Sequence, residues 1–314
     1  MLIAHISDLH LNSFYNDSIF KRVNYLLKQI SQRKVDHLIV TGDITDNASE
    51  KDLEIFRRML NKYGFMSGDK LSIIPGNHDI FGGVQKAEDI FTFPEKCNAV
   101  NYNKRVNNFL SYFPEAFSNC HYLSSKNYFP FTKKINNTLI IGLNSIARYS
   151  KLSNPFGSNG EIDAAQFGEL FDIIKATEKD VKYKIVLIHH HFNKLKNEAK
   201  STFGSIWSGI EKQTMKLKGK RRLFNLFREY KVDIVLHGHV HESKEYFRKN
   251  VRFLNAGATI RSNNQSMKIN YLTIAKGKIE VDIQSINFPG KLKSEPEQNH
   301  KNKHLNLVHA ALMT

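Results

Sequence analysis

Short apolar runs alternate with stretches of mixed polarity along the first part of the chain. The runs at 2–7, 36–41 and 71–75 are continuous enough to predict buried strands. Helices are predicted between them, near 17–32 and 49–63. Alternating strands and helices indicate parallel strands joined by short loops, and in such sheets ligands collect beyond the carboxyl ends of the strands.

Residues 80–135 interrupt this alternation. The segment contains Gly82-Gly83 near its start and is rich in aromatic residues, and positions 102–113 show helical spacing. Two interpretations of this insertion stay open. It is either a cap that packs on the core or a lid whose aromatic face contacts an apolar or base-bearing part of a substrate.

The alternation resumes after the insertion, and a run of short strands finishes the fold. Strands are predicted at 138–144, 184–188, 232–236, 243–248, 251–255, 270–275 and 278–286, with helices near 163–178 and 220–230. Beyond Pro289-Gly290 the chain is polar and charged. We therefore expect one domain over 1–290 that includes the insertion, followed by a basic, disordered tail over 291–314.

Five of the predicted strands end in residues that commonly bind metals. The segments are Asp8-Leu9-His10, Gly42-Asp43-Ile44-Thr45-Asp46, Gly76-Asn77-His78-Asp79, His189-His190-His191 and Gly238-His239-Val240-His241. They supply carboxylate, amide and imidazole ligands, the mixture that a pair of divalent cations requires. One such segment is usually a helix cap or a surface group, but five in this order predict a two-metal hydrolase.

The spacing inside the segments favours shared ligation. Asp8 and His10 are two apart, so on an extended chain both side chains point the same way. Asp43 follows a glycine, where the backbone can turn sharply and place the carboxylate between two ions. Asn77 adds a neutral oxygen and His239 an imidazole. Two ions about 4 Å apart polarise a phosphoryl oxygen and make hydroxide available at neutral pH.

Two residues of the third segment receive catalytic roles. His78 follows the ligand Asn77 and is placed to protonate the leaving oxygen or to stabilise the charge that develops there. Asp79 is expected to orient this imidazole and to raise its pKa. Asp46 is interpreted as a group behind the ligands or as a helix N-cap.

The five segments together resemble the calcineurin-like metallophosphoesterase superfamily, whose pattern is D-x-H, G-D-x-x-D, G-N-H-D or G-N-H-E, a strand-end His and G-H-x-H. The resemblance implies an α/β fold of four layers, α/β/β/α, with two sheets between helices. It implies one metal held by Asp8, His10, Asp43 and His241, and a second held by Asp43, Asn77, His189 and His239. His190 stays an alternative to His189, because relatives often have proline after the histidine pair.

The chain of 314 residues has a formal net charge of +16. This charge favours a polyanionic partner, such as a nucleotide, a lipid-linked nucleotide, an anionic membrane or nucleic acid. Many of the basic residues lie in 192–222. This stretch is interpreted either as a solvated face or as a basic flap beside the metals. The two cysteines fit a reducing cytosol. Because we see neither a signal peptide nor a transmembrane run, we expect a cytoplasmic protein with at most peripheral membrane contact.

The expected function is hydrolysis of a phosphodiester or pyrophosphate bond through attack of a metal-bridging water. Manganese, iron, zinc and cobalt all suit the mixed oxygen and nitrogen ligands. A nuclease acting on DNA or RNA is an alternative that the positive charge favours. A noncatalytic scaffold on the same fold is a second alternative, against which the intact ligand set argues.

Overall fold

The molecule is an α/β structure with two sheets. A computed structural model describes residues 1–14, 17–84, 87–123, 128–176, 181–193, 215–240, 242–257, 259–260 and 266–290. The strands are β1 Leu2–Ile6, β2 His37–Val40, β3 Leu71–Ile73, β4 Phe131–Ile135, β5 Thr138–Gly142, β6 Tyr183–Leu187, β7 Ile234–His237, β8 Lys244–Arg248, β9 Val251–Asn255, β10 Ser266–Ala275 and β11 Lys278–Asn287. The helices are α1 Asp17–Gln32, α2 Glu50–Lys62, α3 Asn77–Ile80, α4 Phe93–Asn98, α5 Tyr102–Ser111, α6 Ala164–Ala176 and α7 Lys220–Glu229.

The two sheets have five and six strands, in the orders β11-β10-β1-β2-β3 and β4-β5-β6-β7-β9-β8. Strands β1, β2 and β3 run parallel, as do β5, β6, β7 and β9. Their carboxyl ends therefore gather at one side of each sheet, and the predicted ligands follow these ends. The predicted helices and strands are present with boundaries shifted by a few residues, and β4 is an antiparallel strand that the pattern did not predict.

The core follows the alternation of side chains along the strands. In β6, Ile185 and Leu187 belong to a large cluster that also contains Leu38 and Ile39 of β2. The intervening Val186 packs in a second cluster with side chains of α6 and α7. Since successive strand residues point to opposite faces, the second sheet packs against the first on one face and against helices on the other. This confirms the predicted four-layer arrangement.

The described part of the insertion packs on the core. Phe109 and Phe113 of its second half are fully buried in the large cluster, and Phe113 contacts Phe56 of α2 edge to face at 6.2 Å. Arg57 of α2 binds the Glu115 carboxylate through two nitrogens. The first half forms a smaller cluster with the chain after β5, made of Ile80, Phe81, Phe93, Cys97 and Ile146. The described part of the insertion thus fits the cap interpretation.

Within the described residues, no helix is both long and apolar enough to cross a membrane. The proposed tail over 291–314 and most of the basic stretch over 192–222 lie outside these residues.

Candidate metal centre

The strand ends bring most of the predicted ligands together. Asp8 and His10 follow β1, Asp43 follows β2, Asn77 begins α3 after β3, His189 follows β6 and His239 follows β7. All of these except His10 are buried. His241 lies outside the described residues. The predicted ligands therefore come from both sheets, and their positions depend on how the two sheets pack.

The backbone at these strand ends is unusual. Four of the predicted ligands have a positive φ, which is uncommon for residues with a side chain: Asp8 at 54°, His10 at 47°, Asp43 at 50° and His239 at 71°. Such conformations cost on the order of 1–3 kcal/mol each and cluster at functional sites. Gly42 has φ 93°, and a Cβ there would lie 2.5 Å from the Gly76 nitrogen. This close approach joins the β2 loop to the β3 loop.

Three donor atoms lie close to Nε2 of His189. Its Nε2 lies 3.1 Å from Oδ1 of Asn77, 3.2 Å from Oδ2 of Asp43 and 3.2 Å from Nδ1 of His239. Its Nδ1 lies 2.7 Å from the carbonyl oxygen of Thr41, so Nδ1–H donates there. A neutral His189 then presents the lone pair of Nε2 to the oxygens of Asn77 and Asp43, with no hydrogen between them. A cation at their centre satisfies all four atoms, so this donor set fits a divalent metal.

The electrostatics of His189 support this interpretation. Burial lowers the pKa of His189, but the nearby Asp43 carboxylate raises it more, to about 9. For Asp43, burial raises the pKa, while His189 and His78 lower it well below its usual range. The pocket therefore favours a positive charge at this point, either a proton on the imidazole or a cation bound to it. Metal binding requires the imidazole to be deprotonated, so a metal here would exchange for that proton.

A second group of potential ligands adjoins the first. Atoms of Asp8, His10 and Asp43 lie within 4.8 Å of one another, so Asp43 belongs to both groups. The His239 N–H donates to both oxygens of Asp8, at 2.9 and 3.1 Å, and the His78 N–H donates to Oδ1 of Asp43 at 2.8 Å. These backbone donors fix the carboxylates. The shared Asp43 is the arrangement expected of a bridging ligand.

Asp46 is the carboxylate beside His78. Its Oδ1 lies 3.2 Å from Nδ1 of His78 and 3.4 Å from Nδ1 of His10, and its carbonyl oxygen lies 3.1 Å from the same nitrogen of His78. Burial lowers the pKa of His78, but Asp43 and Asp46 raise it more, to about 10. The His78 side chain is 27% exposed. In the metal-free protein these carboxylates favour the protonated form of His78, and a substrate can reach its ring.

The structure corrects two assignments. Asp79 does not contact the imidazole of His78, because its Oδ1 accepts from the backbone N–H of Thr45 at 2.8 Å and its Oδ2 from Gly76 at 2.9 Å. It joins the β2 and β3 loops instead. The group beside Nδ1 of His78 is Asp46, which fits the interpretation of Asp46 as a group behind the ligands. The N-cap of α2 is Ser49, whose side chain accepts from Asp52, so the N-cap role proposed for Asp46 was wrong.

The choice between His189 and His190 is also clearer. The Nδ1 of His190 lies 2.8 Å from the Ser145 hydroxyl and its Nε2 lies 3.2 Å from the Ser158 carbonyl oxygen. Burial and the neighbouring His189 lower the pKa of His190 well below its usual value. Both ring nitrogens of His190 are thus engaged away from the Asp43 carboxylate, which favours His189 as the ligand.

Comparisons with known proteins identify the family of the chain. A family model described as calcineurin-like phosphoesterase matches residues 1–243, and the chain belongs to this family. The chain is 24% identical over 291 residues to a protein named "Probable cyclic nucleotide phosphodiesterase" from Ruthia magnifica subsp. Calyptogena magnifica, covering 90% of this chain and 97% of that protein. It is 25% identical over 292 residues to a protein of the same name from Vesicomyosocius okutanii subsp. Calyptogena okutanii (strain HA), covering 90% and 98%.

Solved structures show the same fold. A dimetal phosphatase from Danio rerio aligns with a TM-score of 0.59 at 9% identity, covering 91% of this chain and 98% of that chain. Purple acid phosphatase PPD1 from yellow lupin (Lupinus luteus) seeds aligns with a TM-score of 0.55 at 12% identity, covering 90% and 51%. At these identities the likeness establishes the fold alone. With the family match, the chain is a metal-dependent phosphoric ester hydrolase.

Proposed function

We propose that the chain hydrolyses the phosphodiester bond of a cyclic nucleotide at this centre. The observation that carries the proposal is that donor atoms of Asn77, Asp43 and His239 lie within 3.2 Å of Nε2 of His189, close to the accessible imidazole of His78. The names of the two similar proteins point to the substrate class. A cyclic nucleotide has an alkoxide leaving group, which needs a proton donor, and His78 supplies one.

We propose two ligand sets for the metals. One comprises Asp43, Asn77, His189 and His239, and the other comprises Asp8, His10, Asp43 and His241. Two divalent ions bound there would polarise the phosphoryl oxygens and acidify a water molecule. Manganese, iron, zinc and cobalt remain the candidates, and elemental analysis of the purified protein distinguishes them. A protein that holds fewer than two ions per chain after loading would contradict the dinuclear assignment.

We assign His78 to the leaving oxygen. Its Nδ1 donates to Asp46, and in the protonated ring we place Nε2–H toward the substrate. Proton transfer from Nε2 would neutralise the departing alkoxide, and a positioned general acid contributes about 10²–10⁴-fold to such reactions. Asp46 keeps the ring in this orientation and stabilises its charge.

The test uses paired substitutions with matched controls. We expect Asp43→Asn and His78→Ala to lower turnover of a cyclic nucleotide by at least ~100-fold, because the first removes the shared carboxylate and the second removes the proton donor. Asp172→Asn on α6 and His121→Ala, both at exposed positions, make the same chemical changes away from the centre. Unchanged turnover in both site variants would disprove the mechanism.

The substrate is tested with a panel on metal-loaded protein. It comprises 3′,5′-cyclic AMP, bis(p-nitrophenyl) phosphate, p-nitrophenyl phosphate, single-stranded DNA and a UDP-linked lipid. We expect the cyclic nucleotide to be hydrolysed with the highest kcat/KM. Preferred turnover of DNA would favour the nuclease alternative, and turnover of the monoester alone would contradict a diesterase.

The partners and location follow from charge and cysteine content. We propose a cytoplasmic protein, supported by Cys97 and Cys120, which are both free thiols. The net charge of +16 supports peripheral contact with an anionic membrane or with nucleic acid. Co-sedimentation with phosphatidylserine vesicles, with phosphatidylcholine vesicles as the control, tests the membrane contact. A gel-shift assay with single-stranded DNA tests the contact with nucleic acid.

A further inference from the structure

The chain that follows α3 folds back over the imidazole of His78. The N–H of Phe81 donates to the Asn77 carbonyl oxygen at 2.9 Å, and that of Gly82 donates to the His78 carbonyl oxygen at 3.1 Å. Gly82 has φ 76°, a conformation that glycine adopts at little cost. This turn carries the next residue, Gly83, onto the ring of His78.

Gly83 leaves no room for a side chain. A Cβ built there would lie 2.3 Å from Cε1 and 2.6 Å from Nδ1 of His78, whereas nonbonded carbon atoms normally approach to about 3.5–4.0 Å. The backbone of Gly83 therefore closes one side of the ring. On other sides the ring meets the oxygens of Asp46 and the edge of the His10 ring, with ring centroids 4.7 Å apart.

We propose that Gly83 is a positioning residue for His78 in the hydrolysis described above. Its backbone forms one wall of the slot in which the imidazole meets Asp46, and its lack of a side chain makes the slot wide enough. Any side chain at this position displaces the ring from Asp46. The imidazole is the end of a side chain, so the ring moves in preference to the backbone, and the predicted ligands keep their places.

This proposal rests on the proposed role of His78. Substrates with different leaving groups distinguish a failure of the Gly83 proposal from a failure of the His78 proposal. Departure of p-nitrophenolate needs little protonation, because its charge is delocalised, whereas an alkoxide depends on a proton donor. In Gly83→Ala, we expect kcat for 3′,5′-cyclic AMP to fall about tenfold or more and kcat for bis(p-nitrophenyl) phosphate to fall less than about threefold. KM for both substrates should change little.

The neighbouring glycine provides the matched control. In Gly82→Ala the methyl group would meet Asn47 atoms at 3.4 Å, which is ordinary contact, and would not meet His78. The positive φ makes this variant less stable by about 1–2 kcal/mol. We expect Gly82→Ala to lose stability without a kcat loss that depends on the leaving group. A leaving-group-dependent loss in Gly82→Ala equal to that in Gly83→Ala would overturn the proposal.

A double-substitution cycle tests whether Gly83 acts through His78. His78→Ala alone should show the leaving-group dependence, and adding Gly83→Ala to it should have no further effect on kcat. Additive losses of kcat in the double variant would overturn the positioning role. A Gly83→Ala variant whose kcat falls equally on both substrates, or on neither, would overturn it as well. If His78→Ala itself shows no leaving-group dependence, the proposed role of His78 has failed, and the role of Gly83 fails with it.

Two measurements independent of turnover complete the test. In the metal-free protein with isotope-labelled histidine, the Cε1–H resonance that disappears in His78→Ala should shift in Gly83→Ala and not in Gly82→Ala. Metal content and cooperative thermal unfolding of Gly83→Ala should match those of the unsubstituted protein. An unmoved resonance, lost metals or a failure to fold would show that the methyl group is not accommodated by the His78 ring, and would overturn the proposal.

Discussion

Lys133 offers a quantitative test of the packing between the two sheets. This residue of β4 is fully buried, and its Nζ donates to the carbonyl oxygens of Leu71 in β3, at 2.5 Å, and of Ala116 in the cap, at 2.8 Å. Burial lowers the pKa of Lys133 from 10.5 to about 8, although Cys120 and Asp69 oppose this shift. The difference corresponds to about 3 kcal/mol of disfavoured charge in the folded state.

The direction of the pH dependence follows from proton binding. Between the folded pKa of about 8 and the unfolded value of 10.5, the unfolded chain binds more protons, so the free energy of unfolding rises with pH. Below about pH 8 the full cost of the buried charge applies. Above the unfolded pKa it is absent. The contribution of Lys133 to stability therefore increases as pH rises through this window.

We expect Lys133→Met to remove this pH dependence. Methionine has a similar shape and no charge, although it leaves two carbonyl oxygens without their donor. Between about pH 7.5 and about pH 10, the unfolding free energy of the unsubstituted protein should gain about 2 kcal/mol relative to the variant. Urea unfolding of both metal-free proteins at the two pH values measures this, with the exposed neighbour in Lys134→Met as control. Parallel pH curves for Lys133→Met and the unsubstituted protein would refute the reasoning.

Three further predictions concern the centre and α6. Asp46→Asn should lower kcat for a cyclic nucleotide by about tenfold or more and affect an aryl diester less, because His78 loses its charged partner; equal losses on both substrates would argue against this orienting role. Removing the metals with a chelator should lower the free energy of unfolding by about 3 kcal/mol relative to protein at a hundredfold excess of metal over Kd, measured by thermal unfolding, and no change would exclude binding to the folded state. Gly168→Ala, at an exposed position inside α6 with no atom within 4 Å of the new methyl, should stabilise the protein by about 0.5–1 kcal/mol in urea unfolding, with activity unchanged.

The sequence predicted all the strands except β4, the long helices, and the strand ends at which the predicted ligands gather. These features follow from local patterns, namely apolar runs and polar residues at strand ends. The grouping of Asp43, Asn77 and His189 could therefore be predicted from the sequence. The motif order and the glycine before Asp43 added the family and the fold. Spacing alone did not distinguish His189 from His190, because that choice depends on Ser145 and Ser158, which approach only in the folded chain.

The wrong assignment of Asp79 has a physical origin. Asp79 is next to His78 in sequence, but both lie in the short helix α3, where adjacent side chains point in different directions. The Asp79 carboxylate meets the Thr45 N–H instead, and Asp46 reaches the imidazole from another loop. Likewise, the Thr41 carbonyl that fixes the His189 tautomer is a backbone group, which leaves no sequence signal.

The proposed ligands of one ion come from both sheets, since Asp43 and Asn77 follow strands of the first and His189 and His239 follow strands of the second. A bound cation therefore acts as a noncovalent cross-link between the two halves of the sandwich. Its dissociation should permit relative movement of the halves at the ligand-bearing edge, while Lys133 still joins the edge strands β3 and β4. Amide hydrogen exchange should then increase first in the loops after β2 and β6, before the strands themselves lose protection.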